Sequence, residues 1–255
     1  MNEALFGIYP YIALSVLVIG SVARYERDPF TWKSSSSQLL RRRQLILGSV
    51  LFHVGVLVIF LGHLFGLLVP VAIYEAFGIT PQAKQLLAAG VGGIAGLAAL
   101  AGGAMLAYRR LADPRIRATS GGWDIAILLL LLAQLLLGLI SVPYSLATAA
   151  EGEVVKFMAW AQMIFTFQPG AAEQIAGVPL VFKLHILLGL TIFLVFPFTR
   201  LVHILSGLAA PFRYLLTRPG YQIVRSRRRR PLEERRHAHD ALQGLSGPAV
   251  TPPAE

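Results

Sequence analysis

Five apolar blocks, each long enough to form a helix that crosses a lipid bilayer, run through this chain at residues 6–23, 45–69, 86–108, 123–144 and 181–205. A helix needs about 20 apolar residues to cross the hydrocarbon core, and there every backbone polar group must be bonded within the protein. The blocks are uniformly apolar rather than amphipathic, so lipid, not water, is the solvent they face. With 55% hydrophobic and 14% charged residues, the chain also lacks the polar surface that a water-soluble domain of 255 residues requires. The fold class that follows is all-α, a five-span transmembrane helix bundle. The first block has no basic region before it and no A-x-A-like site after it, so it is expected to stay as a span. A sixth apolar stretch, 154–167, is shorter, carries Lys156 and Gln162, and stops at Gln168-Pro169-Gly170. It is expected to lie in or near the interface as a helix that does not cross.

Charge orients the bundle. Of the 23 Lys and Arg, 20 fall after the first and third blocks or from Arg200 onward, and only Lys84, Lys156 and Lys183 lie on the other side. By the positive-inside rule the N-terminus faces out and the C-terminus faces the cytoplasm. The net charge of +10 is therefore topological. Basic residues that flank spans do not make a nucleic-acid surface. The absence of cysteine excludes disulfides and cysteine-ligated iron–sulfur clusters within the chain. Residues 1–224 are expected to form the membrane domain and 225–255 a basic, disordered cytoplasmic tail, in which His237 and His239 are expected to be solvated. Gly90, Gly92, Gly93, Gly96, Gly102 and Gly103 of the third block are expected to serve close helix packing.

The remaining four histidines sit in two blocks only: His53 and His63 in the second, His185 and His203 in the fifth. Ionisable residues in lipid are costly and mark function. On ideal helices His53 and His63 are about 15 Å apart along the axis, and His185 and His203 about 27 Å apart on one face. The two blocks run antiparallel. His53 and His203 therefore share the cytoplasmic level, and His63 and His185 share the outer one. A pair of imidazoles at each level suits axial ligation of two flat macrocycles, two haems in all, between the second and fifth spans. Zinc or copper fits less well, because no Asp or Glu lies in either block to complete a site. The unequal spacings require tilt or a bend, and Pro197 is placed to supply a kink.

The stretch FHVGVLVIFLGHLFG at 52–66, with Leu184-His185 and the segment FTRLVH at 198–203, resembles the gamma subunit of membrane-bound respiratory nitrate reductase. Further matches are Ile8-Tyr9-Pro10-Tyr11, Tyr74-Glu75-Ala76, the segment PRIRAT at 114–119 and Trp160-Ala161-Gln162. The similarity runs from about residue 8 to 224, and the basic tail departs from it. The resemblance implies a dihaem cytochrome b that anchors an iron–sulfur subunit and a molybdenum catalytic subunit to the cytoplasmic face. It implies that the chain oxidises membrane quinol beside the outer haem (His63, His185) and passes electrons through the inner one (His53, His203). It further implies that Lys84 belongs to the quinol site, where a cation stabilises developing quinolate charge, and that Arg110 contacts a haem propionate. Gly62 would let a quinone ring approach the haem edge. Close packing and interfacial snorkelling are the ordinary explanations of Gly62 and Lys84.

Two other functions compete. A related cytochrome b could serve a heterodisulfide-reductase-like or sulfite-reduction complex with the same two haems. A transporter could relay protons through the histidines, and Gln134, Ser141 and Thr191 would then have to line its path.

Overall fold

The structure, a computed structural model, describes residues 1–27, 32 and 41–205. The expected tail at 225–255, with its two histidines, and the boundary at 224 lie outside the described residues. The described residues form helices and connecting turns, with no strand among them. The helices are α1 (Tyr9–Arg27), α2 (Arg42–Leu68), α3 (Val71–Ala76), α4 (Pro81–Ala112), α5 (Pro114–Ala118), α6 (Gly122–Ala147), α7 (Val154–Phe165), α8 (Ala171–Gln174) and α9 (Leu180–Val195). Five helical segments are long and apolar enough to cross a membrane: Ala4–Arg27, Arg42–Leu68, Pro81–Ala112, Gly122–Ala147 and Leu180–Phe198. Large apolar side chains such as Ile19, Ile94 and Leu97 stand on the outside of the bundle, a surface that only lipid makes favourable.

Local signals set the helix ends. The Thr80 hydroxyl accepts from the Ala83 amide and Pro81 opens α4, the usual N-terminal arrangement. Asp113 caps α5 through the Arg115 and Ile116 amides and pairs with Arg41 at 2.9 Å, which ties the Arg-rich ends of α2 and α4 together. The stretch at 154–167 forms α7, a helix of 12 residues. It is too short to cross, and it buries Met158, Trp160, Ala161 and Ile164. The Trp160 indole donates to the Phe6 carbonyl at 2.9 Å, tying α7 to the start of the chain.

The fifth span departs from expectation. It is not one helix from 181 to 205. The α-helix ends at Val195, and the chain continues through two 3₁₀ turns, Phe196–Phe198 and Arg200–Val202, with Thr199 extended between them. Pro197 has no amide hydrogen and its ring excludes the preceding turn, so the helix cannot run through it. His185 and His203 are therefore not five turns apart on one straight face. The spacing of about 27 Å expected on a straight helix therefore does not apply to them.

The helices pack in the order α2–α4–α6–α9–α1. Lipid supplies no hydrophobic drive between helices, so close contact depends on small residues. A Cβ on Gly55 would stand 2.6 Å from the Ala95 carbonyl, and one on Gly102 would stand 2.5 Å from the Phe52 amide nitrogen. Gly96 and Gly103 likewise lie against Leu139 and Leu132. The packing expectation is corrected at Gly90 and Gly92, which border open space with nothing within 4 Å. α2 and α9 make no such extensive contact with each other, so the two histidine-bearing segments leave a gap.

This geometry separates two kinds of glycine. Gly55→Leu is expected to lower stability by about 1–3 kcal/mol or to block assembly, as overpacking does, whereas Gly92→Leu is expected to be tolerated. Thermal unfolding of the detergent-solubilised chain measures the difference.

Candidate functional site

Across the gap the imidazoles face one another in two pairs. The His53 and His203 ring centroids are 6.3 Å apart, and those of His63 and His185 are 6.1 Å apart. The pairing expected from chain direction is the pairing observed. Its physical origin is simple: antiparallel segments bring the early histidine of one beside the late histidine of the other.

Three of the four rings are anchored in the same way. The Nδ1 of His53 lies 2.7 Å from the Ser49 carbonyl, that of His63 lies 2.8 Å from the Ile59 carbonyl, and that of His203 lies 2.6 Å from the Arg200 carbonyl. A carbonyl only accepts, so each Nδ1 carries the proton. Each Nε2 is then left with a lone pair, the form that binds a metal. His185 differs. Its Nδ1 is buried without a hydrogen-bond partner. The Gln134 amide nitrogen donates to the His185 carbonyl at 3.0 Å and lies 3.3 Å from its Nε2.

These residues fit a metal macrocycle. A metal held between two imidazole nitrogens at about 2.0–2.1 Å each puts the ring centroids roughly 6 Å apart, which matches both pairs. Among the described residues no group of three or more His, Asp or Glu could hold a metal ion by protein ligands alone. Two imidazoles per level would serve as metal ligands where a ring supplied the others. Beside the His53–His203 pair lies a cavity of about 580 Å³, bordered by Arg42, Arg110, Asp124 and Arg200, a size that accommodates a large organic cofactor. Arg110 thus stands where its guanidinium can meet a carboxylate at this level.

At the opposite end a Cβ on Gly62 would meet nothing among the described residues within 4 Å. Lys84 is not a snorkelling interfacial lysine. It is 6% exposed, its Nζ donates to the Gly66 carbonyl and reaches the Met158 sulfur at 3.1 Å, and it lies 4.8 Å from the centre of the Tyr74 ring. Gly66 is one turn beyond Gly62 and His63, so Lys84 is held at that level. An ammonium has three donors, and the Gly66 and Met158 contacts account for two. Ser141 and Thr191 donate to the carbonyls of Gly138 and Leu187 within their own helices, the Tyr9 hydroxyl meets the Thr191 hydroxyl at 2.9 Å, and Gln134 is engaged with His185. Among the described residues Gln134, Ser141 and Thr191 are not hydrogen-bonded to one another.

Residues 2–227 match the family described as nitrate reductase gamma subunit. The chain belongs to that family. It is 50% identical over 228 residues to the respiratory nitrate reductase 2 gamma chain of Escherichia coli, covering 89% of this chain and 98% of the relative. It is 46% identical over 227 residues to the respiratory nitrate reductase 1 gamma chain of the same organism, with the same coverage. It is 40% identical over 226 residues to the nitrate reductase gamma chain of Bacillus subtilis, covering 89% and 99%.

Two residues of this gamma-family chain lie beside His185 without the sequence having placed them there. Gln134 entered only as a candidate on a transporter's polar path, and Gly138 drew no reading. Their spacing of four on α6 was the available signal, since it puts both on one face. A Cβ on Gly138 would stand 3.0 Å from the Cε1 of His185. Gly138→Leu is therefore expected to displace that ring and disable the His63–His185 level alone, seen as loss of roughly half the bound porphyrin iron if each level holds one.

Proposed function

We propose that this chain is a dihaem cytochrome b that oxidises membrane quinol at the end away from the Arg-rich loops. It passes the electrons to an iron–sulfur partner on the cytoplasmic side, in support of respiratory nitrate reduction by a molybdenum subunit. The two facing imidazole pairs, at two levels between the same two segments, carry this reading. Family membership adds weight to the nitrate reductase assignment over other cytochrome b complexes. The concentration of basic loops at the His53–His203 end supports the orientation. Nitrate itself is not a substrate of this chain.

Haem, when bound, accepts and donates one electron at a time. The protein's own part is to hold and tune it. His53 and His203 would ligate the inner haem, and His63 and His185 the outer one. The Nδ1–H bonds to backbone carbonyls fix the rings of His53, His63 and His203 and raise their basicity as ligands. Arg110 and Arg200 would take the carboxylates of the inner group.

Quinol gives up two electrons and two protons to become quinone. The remaining donor of Lys84 would bind a quinol oxygen and stabilise the anion that forms as its proton leaves. The open side of Gly62 gives the ring access beside His63. Protons released at this end and electrons delivered at the other separate charge across the membrane.

Haem content per chain tests the core of the reading. The wild type is expected to hold two haems, His63→Ala to lose the outer one and His203→Ala the inner one. Equal content in all three proteins would overturn the assignment. Lys84→Met is expected to leave haem content and chemical reduction intact but slow quinol-driven haem reduction by about 10²-fold, measured by stopped-flow absorbance.

A further inference from the structure

Arg24 lies near the cytoplasmic end of α1, in the first basic group of the chain, where a topological charge is sufficient explanation of an arginine. Its guanidinium does something more specific. A single terminal nitrogen, Nη1, donates to two backbone carbonyls, those of Pro197 and Thr199, each at 2.7 Å. These carbonyls belong to the interruption that follows α9. A helix that stops inside an apolar bundle leaves carbonyls that lipid cannot satisfy. A cation at a helix C-terminus also meets the negative end of its dipole.

α1 grips the interruption at a second point. Gly20, one turn before Arg24, lies against the Pro197 ring, where a Cβ would stand 2.8 Å from its Cγ. From there the chain is bonded stepwise towards His203. The Thr199 hydroxyl accepts from the Leu201 amide at 3.2 Å, and His203 Nδ1 donates to the Arg200 carbonyl at 2.6 Å. The peptide that carries the Thr199 carbonyl also carries the Arg200 amide. The acceptor that holds the His203 ring is therefore one residue from the one that Arg24 holds.

We propose that Arg24 is the positioning residue for His203, bridging the carbonyls of Pro197 and Thr199 so that the chain beyond α9 presents this imidazole to His53. The proposal rests on the dihaem reading, in which His203 is the inner ligand. Arg24 touches neither haem nor quinol in this scheme and acts only through the backbone it holds.

The test uses the full chain in isolated membranes, with low-spin haem signals and redox titrations recorded for the wild type, Arg24→Ala, Arg24→Lys and Gly20→Ala. The signals of His63→Ala and His203→Ala assign each haem. Arg24→Ala is expected to weaken inner haem binding by about tenfold or more and to shift the inner signal, while the outer signal stays in place. Arg24→Lys, which can still reach one carbonyl, is expected to restore part of the inner signal. If Arg24→Ala does not accumulate, Gly20→Ala reads the same joint from its other contact, and a shift confined to the inner haem is expected. Two wild-type haem signals that neither Arg24→Ala nor Gly20→Ala alters would overturn this proposal alone. A wild type without haem would overturn the dihaem reading and this proposal with it.

Discussion

Backbone polar groups cannot go unbonded in lipid, and this requirement organises the few polar side chains the chain possesses. The end of α2 shows it. Tyr74 donates to the Phe65 carbonyl, Lys84 to that of Gly66, and Gln162 to those of Leu67 and Val69. The interruption after α9 shows it again, with Arg24 on two carbonyls. Each place adjoins a histidine. The side chains that complete a helix end therefore lie close in the chain to His63 and His203. Lys84 caps α2 one turn beyond His63.

The bundle is tight on one side and open on another. α2 meets α4 so closely that Gly55 and Gly102 admit no side chain, while α2 and α9 stay apart. In lipid the first is favourable because backbones that approach closely gain dispersion contact. The second is where the proposed haems would sit: imidazole pairs at 6.1 and 6.3 Å would suit a flat group with a metal at its centre. Rigidity on the α4 side makes that opening reproducible.

Much of this was legible in the sequence, because lipid imposes simple rules. Block length announced the spans, loop charge supplied an expected direction, and parity of crossings paired His53 with His203 and His63 with His185. The failure of residues 154–167 to cross was legible for the same reason, since a run carrying Lys156 and Gln162 is too short and too polar. The exact end of α9 was not. Pro197 signalled a kink, but whether a helix bends or stops depends on what receives its carbonyls, and Arg24 is 173 residues away from that proline. The burial of Lys84, which rules out snorkelling, was not legible for a related reason. Its partners, Gly66 and Met158, come from two other elements and meet only in the folded bundle. Gly90 and Gly92 look like Gly102 in the sequence, yet only the last faces a neighbour. Which side of a uniformly apolar helix is turned inward leaves little trace in composition.

The break after α9 also governs how the molecule can vary. From His53 to His63 the chain is an unbroken screw, so one inserted residue would swing the later ring by about 100° and carry it off its partner. The stretch between His185 and His203 has no such phase lock, because a joint intervenes and the angular setting is made after it. Drift in length is therefore forbidden in one rail and absorbable in the other. A pair of rails of this kind, one rigid and one articulated, can bring two imidazole pairs together without being copies of each other.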